Sequence, residues 1–283
     1  MLNFPEFLQF DVADLFDQIF GWILDNLEGF FDAIKMFIKT IFNSTEDALA
    51  FIPWFVYIIL VFYLAYKLYT IRMAIVLTIL LLLIGVFGLW DEMIYTLVIV
   101  LISVIVSVLI GLPTGIFMAK SKRLESILKP ILDGMQTMPS FVYLIPAVML
   151  FGLGNVPAVF ATTIYAVPPL IRLTYLGITT VNKEVVEAGL AFGSTPMQML
   201  VKIEIPQSIP TIMTGVNQTT MMAMAMVVIS SMIGAKGIGN EVLVAINSLK
   251  IGDGIQAGLA IVFMAIVLDR LLQGIAVSLE RNA

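Results

Sequence analysis

Long apolar runs separated by short polar breaks dominate the chain from residue 50 onward. They cover residues 50–68, 73–90, 94–118, 135–152, 156–176, 210–233 and 255–276. A helix that crosses a hydrocarbon core of about 30 Å needs ~20 such residues. The pattern therefore predicts about seven membrane-spanning helices. A transmembrane barrel would show short alternating segments instead, and these runs do not alternate. Pro139 and Pro146 fall inside the fourth run, and Pro168 and Pro169 inside the fifth. Proline is tolerated in a span where neighbouring helices re-satisfy the freed carbonyls. Both spans are therefore expected to be kinked and buried in the bundle.

Residues 10–42 keep a different rhythm. Val12, Leu15, Phe16, Ile19, Phe20, Ile23, Leu27, Phe30, Phe31, Ile34 and Phe37 recur at three- and four-residue steps. Asp11, Asp14, Asp17, Asp25, Glu28 and Asp32 fall mostly between them. This is an amphipathic stripe, expected to break near Gly21 or Gly29. It suits a helix lying on the membrane surface and, equally, one packed on the bundle. Ser44 to Asp47 reads as a helix start ahead of the first span.

Composition agrees with the pattern. Hydrophobic residues make up 60% of the 283 and charged residues 12%, against about 45–50% and about 25% in soluble domains. An all-α polytopic membrane protein is expected. The net charge of −5 comes largely from the N-terminal segment. The first basic residue is Lys35, so the basic start of a cleavable signal is not expected.

Lys and Arg set the orientation. With residues 187–206 inside, the inside set is Lys67, Arg72, Lys120, Lys122, Arg123, Lys129, Arg172, Lys183, Lys202, Arg270 and Arg281. The outside set is Lys35, Lys39, Lys236 and Lys250. This bias satisfies the positive-inside rule. It predicts an N-terminus outside and a cytoplasmic C-terminus. The expected division is 1–49, an acidic amphipathic extracytoplasmic helix region, and 50–283, the transmembrane domain, with a cytoplasmic loop over 177–209.

The chain has no Cys and no His. That excludes thiol catalysis, iron–sulfur clusters, disulfides and histidine metal sites; no metal site is expected. The predicted spans carry no ionisable residue near their centres. Carriers driven by an ion gradient usually keep one there. Asp269 and Arg270 lie towards the cytoplasmic end of the last span. Gly234, Gly237 and Gly239 lack the spacing and the Lys-Ser/Thr ending of a phosphate loop. A transporter with neither device must borrow its energy.

The polar segment between the fifth and sixth spans is where it would do so. Asn182 can cap a short helix over residues 183–190, and Gly193 permits a sharp turn. Ser194 or Thr195 can cap a second short helix with Pro196 at its first position. Such a knuckle is a compact part that a partner can push. Its sequence, Glu187-Ala-Gly-Leu-Ala-Phe-Gly193 followed by Ile203-Glu-Ile-Pro206, resembles the EAA loop of ABC importer permeases. Glu187, Ala188, Gly193, Ile203 and Pro206 stand at the family spacing. Gly189 replaces an Ala and Ile205 a Leu.

Further segments narrow the resemblance. Met135 to Pro146, Pro130 to Asp133, Pro168 to Arg172, Gly215 to Gln218, Met226 to Ile229, Ala257 to Ile261 and Leu268 to Arg270 are similar to permeases of glycine betaine/proline betaine importers. The resemblance covers roughly residues 90–275. It implies a type I ABC importer transmembrane domain in a bacterial or archaeal cytoplasmic membrane. It also implies a homodimer with the pathway between its copies, two ABC ATPase subunits and an external substrate-binding protein. ATP and Mg would bind the ATPase, with no cofactor in this chain, no catalytic residues and no nucleic-acid partner. The cargo implied is a quaternary ammonium compound. Choline, carnitine, proline or another amino acid is the alternative, and an ATP-independent channel or scaffold is a third reading.

Pathway candidates are Phe141, Tyr143, Asn217, Gln218, Met221, Met222, Met224 and Met226. Methionine is adaptable and rings can face a quaternary ammonium. Ordinary core packing is the competing reading for the methionines and rings, and helix-to-helix bonding for the amides. Gly234, Lys236, Gly237, Gly239 and Asn240 form a turn into a short external helix expected over 242–249. They offer a landing site for the binding protein or a plain connector.

Overall fold

The computed structural model describes residues 12–282, with side chains to Leu279. Residues 1–11 of the N-terminal region, Asp11 among them, and the Arg281 side chain lie outside the described residues. Among the described residues every regular element is a helix.

The N-terminal stripe folds as one unbroken helix, α1 (Ala13–Ala50). Gly21 and Gly29 do not break it, which corrects the expectation. A lone glycine costs a helix only about 1 kcal/mol, and nothing crowds either position. Ser44 to Asp47 lie inside α1 rather than starting a new helix. The turn comes at Phe51–Pro53, because Pro53 cannot continue the hydrogen-bond ladder. There the chain bends by 89° into α2 (Trp54–Leu68). The C-terminal part of α1 packs on the bundle. Phe42 is buried and the Phe31 ring meets Phe151 edge-on. Val12, Phe16, Trp22 and Phe37 stay exposed.

Two apolar helices follow: α3 (Ile71–Val86) and the 31-residue α4 (Trp90–Lys120). A helix that lies largely outside the expected runs comes next, α5 (Lys122–Thr137). Its Ser121 side chain accepts from the Leu124 N–H. The fourth expected span is not one kinked helix. Pro139 drives Met138 to extended backbone, ψ 135°, as the residue before a proline prefers. The chain turns by 111° there. A 3₁₀ turn (Ser140–Tyr143) then leads into the short α6 (Leu144–Phe151).

The centre of the molecule is α7 (Asn155–Thr179). It keeps Pro168 and Pro169 inside a continuous helix, and both are buried. Residues of α4 face it at four-residue steps. Ser103 Oγ donates to the Val159 carbonyl at 3.3 Å and Ser107 Oγ to the Thr163 carbonyl at 3.4 Å. Gly111 meets the Leu170 side chain. At Gly115 a Cβ would sit 2.6 Å from Thr174 Cβ and 2.8 Å from the Ile171 carbonyl oxygen. Small residues let membrane helices approach this closely.

After α7 come α8 (Lys183–Ala191) and α9 (Pro196–Met199). The short second arm does not end. It runs through a π-helical segment (Leu200–Glu204) into α10 (Ile205–Ser230), giving one helical rod from Pro196 to Ile233. The external helix is α11 (Ile238–Asn247), four residues earlier than expected. Its start is fixed by side chains of α4: Glu92 Oε2 accepts from the Gly237 N–H at 3.0 Å and Thr96 Oγ1 from the Ile238 N–H at 2.9 Å. The last helix is α12 (Ile251–Asn282).

Among the described residues, four helical stretches are long and apolar enough to cross a membrane: α4, α7, the rod ending in α10, and α12. The bent pairs α1–α2 and α5–α6 raise the number to six if each is one span. The 16 residues of α3 reach about 24 Å at 1.5 Å per residue. The apolar runs thus fold as helices except the fourth, which divides among the end of α5, a 3₁₀ turn and α6; α2, α3 and α6 are short.

Candidate functional site

The loop after α7 forms a rigid knuckle, and each part has a local cause. Asn182 Oδ1 accepts from the Glu184 N–H at 2.9 Å and starts α8. Gly193 ends it with φ +78°. The Gly193 N–H donates to the Leu190 carbonyl at 2.9 Å and the Ser194 N–H to the Gly189 carbonyl at 3.1 Å. This pair of bonds is the Schellman stop, and its left-handed residue is normally glycine. Of the two capping candidates, Thr195 does the work: its Oγ1 accepts from the Gln198 N–H at 3.3 Å. Gln198 Oε1 accepts in return from the Thr195 N–H at 2.8 Å. Pro196 occupies the first helical position, where its missing N–H costs nothing.

The two arms close on each other at Gly189, which is buried. A Cβ there would lie 2.7 Å from Met199 Cε and 2.8 Å from Ile203 Cδ1. Ile203 is thus half-buried beneath α8, and Pro206 sits in the first turn of α10. Glu187 and Ala188 are exposed. Glu187 also lines a cavity of about 300 Å³ with Lys120, Lys183, Val186 and Glu204. The tip of the knuckle carries exposed apolar side chains among polar ones. Leu190, Met197 and Val201 are exposed, and Phe192 is 91% exposed. Nothing in the sequence marks these four as a surface. An apolar residue has the same letter whether it packs or projects; only its position at the tip of a capped turn could have drawn attention.

An exposed apolar tip on a rigid, polar-capped turn fits a docking surface better than a solvated loop. The chain matches the family described as binding-protein-dependent transport system inner membrane component over residues 111–283. It belongs to that family. Two relatives are similar along nearly the whole chain. The glycine betaine transport system permease protein OpuAB of Bacillus subtilis is 45% identical, over 94% of each chain. The glycine betaine/carnitine transport permease protein GbuB of Listeria monocytogenes is 47% identical, over 88% of this chain and 90% of its own. Among solved structures, the MetNI methionine ABC transporter in inward-facing conformations matches with TM-score 0.57 at 20% identity. It covers 66% of this chain and 92% of that one, and shows a shared fold. The chain is therefore a multi-pass transport component of the cytoplasmic membrane with the type I importer fold.

In this permease the pathway candidates separate into two groups. Met224, Met226 and Tyr143 are enclosed in the core. The Tyr143 hydroxyl donates to the Met135 carbonyl and its ring meets Tyr165 edge-on at 5.7 Å. Asn217 Nδ2 donates to Asp269 Oδ1 at 2.8 Å and so bonds α10 to α12. Gln273 Nε2 donates to the same oxygen at 2.7 Å, and Arg270 Nε stands 3.6 Å from Asp269 Oδ2. Phe141 is 58% exposed. Gln218 is exposed, and Met221 and Met222 are half-buried. The external candidates divide in the same way. Gly237 and Gly239 are buried, Gly234 and Lys236 exposed, and Asn240 half-buried. The Lys236 ammonium lies 5.3 Å from the centre of the Tyr95 ring.

Proposed function

We propose that this chain is the membrane permease of an ATP-driven uptake system for glycine betaine or a related compatible solute. The observation that carries the coupling half of this reading is the knuckle. It is capped at both ends, closed at Gly189, and bare and apolar at Phe192. A partner ATPase seated on Leu190, Phe192 and Met197 buries surface that otherwise faces water. The cargo half rests on the relatives, both of which carry glycine betaine in their names. Carnitine is the second reading, because the Listeria protein's name includes it.

The partners follow from the family: ABC ATPase subunits that bind ATP and Mg, an external binding protein, and a second copy of this chain. Of the pathway candidates, Phe141, Gln218, Met221 and Met222 are accessible enough to line a route between the copies. Gly234, Lys236 and Asn240 are accessible to the binding protein. Orientation follows the Lys and Arg bias, with the knuckle inside and α1 outside. ATP closes the ATPase dimer, the knuckle follows, and the helices rock between inward-open and outward-open states. Coupling is a population shift, so ATP and the binding protein must favour one state differentially.

The test is uptake of radiolabelled glycine betaine into proteoliposomes holding this chain with its ATPase and binding protein. Accumulation that requires internal ATP is expected. ATP-driven accumulation of carnitine alone would transfer the reading to that cargo. Flux independent of ATP would overturn it in favour of a channel.

A further inference from the structure

Glu204 is the one charged residue buried among the described residues, 8% exposed. It lies in the π-helical segment that joins the knuckle to α10. Lys120, the last residue of α4, makes an ion pair with it. The Lys120 side chain is 42% exposed and that of Glu204 10%, so the pair is half enclosed; a carboxylate placed this way needs its partner, and apolar residues of similar volume often serve stability better. Helix stability therefore does not by itself account for a charge at this point.

The position offers another account. A π-helical turn is a less regular joint than an α-helical one and occurs often at functional sites. A displacement of the knuckle would be taken up by bending at Leu200–Glu204 unless the segment is braced from outside. Lys120 supplies that brace from α4, at the segment's last residue. α4 is itself fastened to α7 by Ser103, Ser107 and the close contact at Gly115. The pair also borders the cavity that Lys183 and Glu187 of α8 enter, so the knuckle has room to move against it.

We propose that Lys120 and Glu204 are positioning residues that form a strut, carrying the knuckle's displacement into α4 and, through it, into α7. This rests on the coupling reading above. Without the pair, the π segment flexes and ATP is spent without moving the helices.

The experiment uses the complete reconstituted complex, with solute accumulated per ATP hydrolysed as the readout. Glu204→Gln and Lys120→Met are each expected to lower that ratio at least about fivefold, the lower end of measured site-to-site couplings. The amount of ATPase that co-purifies is expected to stay the same. Lys120→Arg keeps the charge and is expected to keep the ratio. The exchanged pair, Lys120→Glu with Glu204→Lys, is expected to recover most of it. A native ratio in both neutral variants would overturn the strut. So would a Lys120→Arg variant as impaired as Lys120→Met, or an exchanged pair no better than the single changes. Failure of the unaltered complex to couple uptake to ATP would instead overturn the coupling reading, and the strut with it.

Discussion

At the residue scale the knuckle depends on two positions for opposite reasons. Gly193 is held at φ +78° with nothing near its missing side chain, so backbone strain alone opposes a substitution. Gly193→Ala should cost about 1 kcal/mol, and Gly193→Val more. Initial uptake rates, normalised to inserted protein, should fall in that order. Phe192 has ample room and no partner surface of its own. If it seats in the ATPase, its truncation removes an interfacial aromatic anchor worth about 2 kcal/mol. Phe192→Ala should therefore weaken ATPase association roughly thirtyfold, measured by titrating the purified permease with ATPase. Unchanged affinity would mean that the tip does not dock. The two residues also differ in how they read from sequence. Glycine at a capped helix end announces its conformation, and a threonine with a glutamine three residues on announces a capping box. Phe192 announces nothing, since burial is decided by neighbours far away in the chain.

At the element scale the notable feature is the rod from Pro196 to Ile233. Its π segment holds one more residue per turn than α-helix does. Deletion of Val201, which is exposed, would let the segment relax to α-helix. A π turn less one residue is roughly one α turn, so the knuckle would keep its face while α10 and Glu204 kept their packing. Uptake should therefore survive the deletion with membrane insertion intact. Loss of uptake in a stably inserted deletion variant would show that the wide turn itself is needed. Neither the π segment nor α5 was legible in the sequence. Ile203-Glu-Ile-Pro206 reads as a loop ending at a proline, yet Pro206 falls in the first turn of α10, where proline is tolerated. α5 escaped because its apolar face, Leu124, Leu128, Leu132 and Met135, is interrupted by Lys122, Arg123 and Lys129, which a search for long apolar runs passes over. It is tied to α7 instead, by Asp133 with Arg172 and by Tyr175 O–H to Glu125 at 2.6 Å. The long helices α4, α7 and α12 were legible, because bilayer thickness imposes their length locally.

At the scale of the whole molecule, α4 orders everything else by depth. At one end Glu92 and Thr96 hold the start of α11; at the other Lys120 holds the knuckle's root. Its 31 residues separate these ends by about 46 Å, which exceeds a hydrocarbon core of about 30 Å. That length suits a helix whose two ends lie on opposite sides of the membrane. α1 belongs to the Glu92 end: its Glu46, Leu49 and Ala50 line one cavity with Trp90, Asp91 and Glu92. The 89° bend into α2 lays α1 along the membrane plane wherever α2 runs along its normal. Surface placement and packing on the bundle are then compatible, since the two ends of α1 do different things. The positive-inside bias predicts that the knuckle side faces the cytoplasm, and the chain is well suited to a direct check because it has no cysteine. Single cysteines at the exposed positions Asn26, Lys250, Arg123 and Gln198 can each be offered a membrane-impermeant maleimide on intact right-side-out vesicles. Asn26→Cys and Lys250→Cys should label at once; Arg123→Cys and Gln198→Cys should label only after permeabilisation. The inverse pattern would turn the molecule over and place the knuckle outside, beyond the reach of any ATPase that draws on cellular ATP. Labelling of Asn26→Cys together with Gln198→Cys from one side would break the assignment of the two ends of α4, and with it the path from knuckle to outer face.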